Sequence, residues 1–163
     1  VNVADLNNLI SPFFLHEKEV RKVIELFFFS YRDFTLGPDK VLDKLKFGRA
    51  HHRVIYFVGK KNNITIKELL EVLKITKQSL SRVLNQLVED RFIEVSIGRD
   101  KRTKTLSLTD KGLNLEKELS TIQISKIKKI INNFNEDDIN GFKNILFAMI
   151  ETDNKKTFQR LNE

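Results

Sequence analysis

A chain of 163 residues, 40% hydrophobic and 31% charged, is long enough to bury a core of its own and is expected to form one domain. It has no cysteine, which excludes disulfides, cysteine-type zinc sites, a cysteine nucleophile and a thiol redox switch. Net charge is +7 and sits in the middle of the chain: residues 40–112 hold 17 Lys and Arg against 8 Asp and Glu, while the two flanks hold 12 against 14. Such a block suggests a polyanionic partner, with DNA, RNA and a membrane surface all open on charge alone. Val1 to Ile10 has neither the basic start nor the apolar centre of a signal peptide. Apolar runs such as Leu26-Phe27-Phe28-Phe29 and Val54 to Val58 are far too short to span a bilayer, so the cytoplasm is the expected compartment.

Taken in chain order, Ser11-Pro12 reads as a helix cap followed by a first-turn proline. Val20, Val23, Ile24, Phe27, Phe28 and Tyr31 then recur at helical spacing, giving a helix over about 12–34. Gly37-Pro38 is expected to interrupt it, with a short helix following through Leu45 and another over Arg49 to Gly59. Lys60 to Asn63 reads as a polar turn. Four later helix starts share one pattern of a capping side chain flanked by an apolar staple. These are Thr65 with Ile64 and Leu69, Thr76 with Ile75 and Leu80, Thr109 with Leu108 and Leu113, and Asn135 with Phe134 and Ile139. Glu68, three residues after Thr65, completes a capping box. Between the second and third of these the period changes. Phe92, Ile93, Val95 and Ile97, then Leu106 and Leu108, predict two short strands joined by the turn Gly98-Arg99-Asp100-Lys101-Arg102. Helix returns through Leu119 to Phe134 and through Phe142 to Ile150, and the last ten residues are polar enough to fray.

Two short helices at about 65–73 and 76–90, separated by a tight turn at Lys74-Ile75, make a helix-turn-helix. In the second, Leu80, Val83, Leu84, Leu87 and Val88 form an apolar stripe. The stripe leaves Lys77, Gln78, Ser79, Ser81, Arg82 and Asn85 for the exposed face and the amino-terminal end, as types able to bond base edges and phosphates. A plain solvated face would look the same. The hairpin that follows weighs against that alternative, because Arg99, Lys101, Arg102 and Lys104 place four cations within six residues at its tip. Like charges gathered there gain little in a globule and much beside a phosphate backbone or in a narrow minor groove. Helix-turn-helix plus basic hairpin is a winged helix-turn-helix.

At this point the sequence resembles the MarR family of bacterial regulators. The resemblance rests on Asp100-Lys101-Arg102 and Leu106-Ser107-Leu108-Thr109-Asp110-Lys111-Gly112, on Ile64-Thr65-Ile66-Lys67-Glu68-Leu69-Leu70, and on the second helix, covering about residues 47–115. Tyr31-Arg32-Asp33-Phe34 and Phe47-Gly48-Arg49-Ala50-His51-His52-Arg53 resemble an alphaproteobacterial branch of the PetP and LdtR kind. Lys101 stands where the family has a second arginine, and Arg91 where it has a glycine after the recognition helix. Because arginine resists a left-handed conformation, Arg91 is expected to change how the chain leaves that helix. The resemblance implies a mainly α fold with a small β wing: a winged helix-turn-helix over 46–112, and interlocking dimerisation helices over 5–45 and 113–163. It also implies a homodimer on a pseudo-palindromic operator of double-stranded DNA. The aromatic-rich 12–34 helix and the aliphatic helices after 109 agree, since one small winged domain cannot cover them, though folding back into a monomeric core is the alternative.

The resemblance further places an effector pocket where the dimerisation helices meet the winged domain, often for phenolic or other aromatic anions. Arg32, Phe34, Phe47, His51, His52 and Arg53 fall in the matching stretches, with ordinary core and interdomain contacts as the competing reading. His51 and His52 are adjacent and point about 100° apart on a helix, so no metal site is expected, and no cofactor. Asp137 and Asp138 suit a helix amino terminus rather than catalysis. With no nucleophile–base set, phosphate loop or dinucleotide fingerprint, the expectation is a DNA-binding regulator and not an enzyme. The alternative is a winged-helix protein-interaction subunit without sequence-specific DNA binding.

Overall fold

The computed structural model describes residues 16–98 and 103–163. Its elements run α1 (Glu17–Lys44), α2 (Arg49–Lys60), β1 (Ile64–Thr65), α3 (Ile66–Leu73), α4 (Lys77–Glu89), β2 (Ile93–Ile97), β3 (Lys104–Leu108), α5 (Asp110–Ile131), α6 (Glu136–Ala148) and α7 (Thr152–Arg160). Two compact units divide the chain, residues 1–36 and residues 37–163. Among the described residues no helix is long and apolar enough to cross a membrane.

The helix starts follow from their caps. Thr65, Thr76, Thr109 and Asn135 each accept the N–H three residues on, from Glu68, Ser79, Gly112 and Asp138. Each such cap is worth about 1 kcal/mol. Glu68 completes its box by accepting hydrogen bonds from the Thr65 N–H at 2.9 Å and from the Thr65 hydroxyl at 2.8 Å. Lys61 adds an ion pair at 2.7 Å. Together these hold the Glu68 carboxyl down at about 2, with the Lys61 contact as the largest cause.

The core of the second unit gathers Leu42, Phe47, Val54, Ile55, Val58, Leu69, Leu80, Leu87, Phe92, Ile93, Leu106 and Leu119, all buried. A three-stranded antiparallel sheet in the order β1-β3-β2 closes one side, with Ile64 opposite Leu106 and Ile93 opposite Leu108. The first unit shows the reverse. Along its stretch of α1, Val23, Ile24, Leu26 and Phe28 are 58–65% exposed.

Four points depart from expectation. Gly37-Pro38 does not interrupt the helix, and α1 carries Pro38 inside it. A proline costs the helix one hydrogen bond, but Pro38 is fully buried, and the bare Gly37 brings α1 so close to α5 that an added Cβ would lie 2.6 Å from Ile122 Cγ2. The sheet has a third strand, the two-residue β1, too short to show a period. The polar tail forms α7, tied down by Arg160 to Glu71 at 3.1 Å and by Lys60 to Asn162 at 3.3 Å. Finally, Arg91 does not reroute the chain. It takes the left-handed conformation itself, φ 60°, and completes the turn that a glycine would make. The predicted cap at Ser11-Pro12 lies outside the described residues.

Candidate nucleic-acid interface

Helix α4 is built to show one face. Leu80, Val83, Leu84 and Leu87 are buried, and Lys77, Gln78, Ser79, Ser81, Arg82 and Asn85 are all exposed. The 3.6-residue period places the first set against the core and leaves the second outward. Ser79 has a double duty. Its N–H bonds the Thr76 cap, and its hydroxyl accepts from the Thr76 hydroxyl at 2.9 Å, which leaves the Ser79 proton to donate outward.

The far end of α4 is locked to the wing by a cluster of short contacts. The Arg91 N–H bonds the Val88 carbonyl at 3.0 Å and the Phe92 N–H bonds the Leu87 carbonyl at 2.8 Å, a Schellman turn with Phe92 and Leu87 buried together. Thr109 donates its hydroxyl to the Arg91 carbonyl at 2.6 Å while capping α5. Lys111 donates to the Asp90 carbonyl at 2.8 Å and lies over the Phe92 ring at 4.1 Å. Gly112 sits against the Phe92 carbonyl so tightly that a Cβ would fall 2.1 Å from the oxygen. The stretch Thr109-Asp110-Lys111-Gly112 therefore works as a clamp between the end of α4 and the base of the wing. In the sequence this stretch stands out only as a family signature; the clamp is signalled there by no more than Lys111 and Gly112 following the Thr109 cap.

The wing strands pair from Ile93 with Leu108 out to Ile97 with Lys104, and Gly98 closes on the Thr103 carbonyl at 2.7 Å. Lys104 is exposed. Arg99, Lys101 and Arg102 lie outside the described residues.

The six residues expected to line an effector pocket fall into both units. In the first, Arg32 pairs with Asp33 at 2.9 Å and lies over the Phe29 ring at 4.7 Å, and Phe34 is half-buried. In the second, Phe47 is a core residue, 4% exposed, with its ring edge-on to Phe92 at 5.2 Å. His51 stacks on Phe47 at 4.7 Å. Its Nδ1 accepts the Gly48 N–H at 3.1 Å, and its Nε2 meets Gln86 Oε1 on α4 at 2.9 Å. An accepting Nδ1 puts the proton on Nε2, which then donates to Gln86. His52 is half-buried, and burial holds its imidazole below the ordinary histidine value against the opposing pull of Asp39 and Glu116. Arg53 is exposed. None of these six lines the open cleft of about 410 Å³ between α2 and α5, whose walls include Tyr56, Lys60, Lys117 and Ile124.

A MarR family model matches residues 46–103, the helix-turn-helix and the first strand and turn of the wing. The HTH-type transcriptional regulator PetP of Rhodobacter capsulatus is 41% identical over 151 residues, covering 92% of this chain and 91% of PetP. The chain belongs to the MarR family. The match to PetP agrees with the branch suggested by residues 31–34 and 47–53. TcaR of Staphylococcus aureus, also an HTH-type transcriptional regulator, is 28% identical over 53% of the chain and 59% of its own length. Among solved folds, Streptococcus pneumoniae FabT in complex with DNA superposes with a TM-score of 0.71 at 20% identity, covering 80% of this chain and 94% of FabT. A complex of S. aureus MepR with DNA gives 0.61 at 19% identity, covering 77% and 93%. These neighbours share the winged-helix fold. The MarR family and the relatives named here are transcriptional regulators, which agrees with the reading of a regulator rather than an enzyme.

Proposed function

We propose that this MarR-family chain acts as a homodimer that reads a pseudo-palindromic site in double-stranded DNA. Helix α4 enters the major groove and the wing follows the backbone into the adjacent minor groove. The observation that carries the reading is the sorting of α4: six side chains able to bond bases and phosphates are exposed together while the apolar stripe beneath them is buried. The flanking basic wing supplies charge for sequence-independent affinity. Support for the dimer is the run of exposed aliphatic and aromatic side chains on α1, which a second copy would cover.

For regulation by a small aromatic anion, the supporting groups in the second unit are His52 and Arg53. His51 and Phe47 already have work, one on Gln86 and the other in the core. Such a ligand would act by favouring a spacing of the two winged domains that fits DNA poorly.

Selection of bound sequences from a random duplex library tests the proposal. An enriched inverted repeat, bound by a species of twice 19.1 kDa, is the expected result. Retention of duplexes with no enriched sequence, or no retention, would favour a winged-helix subunit that docks on an acidic protein.

A further inference from the structure

The wing hairpin has two unlike faces. Side chains alternate along a strand and cross-strand partners share a face. One face therefore carries Ile93, Val95 and Ile97 of β2 with Leu108, Leu106 and Lys104 of β3. The other carries Glu94 and Ser96 with Ser107 and Thr105. At the base of the hairpin the first face is core, with Ile93 2%, Leu106 0% and Leu108 9% exposed. Moving outward the same apolar row leaves the core, with Val95 41% and Ile97 74% exposed. Ile97 is the most exposed large hydrophobic side chain described, and its direct cross-strand partner is exposed Lys104. Glu94, the acid of the two described strands, points to the opposite face. An apolar row next to a cation on one face, and an acid on the other, is a poor arrangement for solvent. It suits a surface that is apolar along its walls and anionic at its rim, which describes the deoxyribose walls and phosphates of a minor groove.

Resting on the DNA-binding reading above, we infer that the wing meets DNA with its Val95–Ile97–Lys104 face, Ile97 lying against deoxyribose and Lys104 against phosphate. Ile97 is then a contact residue whose contribution is not electrostatic. Lys104 contributes through counterion release, and Glu94 faces away from the duplex.

Affinity of the intact chain for a duplex selected by the wild-type protein, measured across a salt series, tests this assignment. Ile97→Ser should weaken binding by roughly three- to tenfold at every salt concentration, the loss expected for part of an isoleucine's burial, with the salt slope unchanged. Lys104→Ala should flatten the slope by about 0.9 per wing. Ile97→Val, which keeps most of the apolar surface, should bind within about twofold of wild type. The inference is overturned if Ile97→Ser binds as wild type while Lys104→Ala weakens binding, since the wing would then use its charge alone. It is also overturned if Glu94→Ala alters the slope more than Lys104→Ala does, which would put the opposite face on the DNA. If the wild-type protein selects no duplex at all, the DNA-binding reading itself fails, and this one with it.

Discussion

His51 of α2 donates from Nε2 to Gln86 Oε1 of α4 at 2.9 Å while its Nδ1 holds the Gly48 N–H. One imidazole thus starts α2 and braces α4, and its ring is stacked on a buried phenylalanine. Replacing His51 with alanine removes two hydrogen bonds and the stack. The expected loss is about 1–3 kcal/mol, seen as a lower urea midpoint with an unchanged slope. Gln86→Ala should cost less, about 1 kcal/mol, because only one of those bonds goes with it. The two losses should be less than additive in a double variant. Additive losses would mean that the contact does not brace α4.

Arg91 occupies a left-handed position that costs an L-residue about 1–2 kcal/mol. Its backbone alone makes the turn and accepts from Thr109, so the side chain is dispensable there. Arg91→Gly should therefore stabilise the fold by about 0.5–1 kcal/mol after the entropy a glycine loses on folding. A lower midpoint in urea would show that the arginine side chain contributes more than the strain costs.

Gly112 and Gly141 separate two meanings of glycine in a helix. A Cβ at Gly112 would sit 2.1 Å from the Phe92 carbonyl oxygen, whereas at Gly141 nothing lies within 4 Å. Gly112→Ala should destabilise by about 2–4 kcal/mol, because the clamp between wing base and α4 must open. Gly141→Ala should stabilise by about 0.5–1 kcal/mol through helix propensity. Thermal melts of the two variants should move in opposite directions.

Glu68 makes stability depend on pH in the acid range. Its carboxyl is held at about 2 against an ordinary 4.5, so the folded state favours the charged form. A lowered carboxylate value stabilises the fold above the unfolded value and loses that contribution as pH falls through the folded one. The stability gap between wild type and Glu68→Gln should be about 1–2 kcal/mol at pH 7, shrink below pH 4.5 and be mostly lost by pH 2. A gap undiminished at pH 2 would assign the effect to shape rather than charge.

Much of this fold was legible because its signals are local. Caps at Thr65, Thr76, Thr109 and Asn135 fix where helices start, and the stripe Leu80–Leu87 fixes which face of α4 is buried, so the six exposed side chains opposite it are legible in the sequence. What escaped was decided by neighbours far away in sequence. Pro38 stays inside a helix because its surroundings bury it, and α7 forms on a polar segment because Glu71 and Lys60 receive its end. Nothing around His51 in the sequence points to Gln86, 35 residues on. The sequence marks His51 only as a candidate pocket residue, and it is packing that directs its two ring nitrogens to Gly48 and Gln86.

The central claim is that the exposed face of α4 reads bases. Sequence selection repeated with Arg82→Ala and with Asn85→Ala tests it most directly. If the claim holds, each variant still selects a duplex of the same symmetry but loses preference at one or two positions in each half-site, with about 1–3 kcal/mol less discrimination there. Variants that select the wild-type motif unchanged at every position would contradict it.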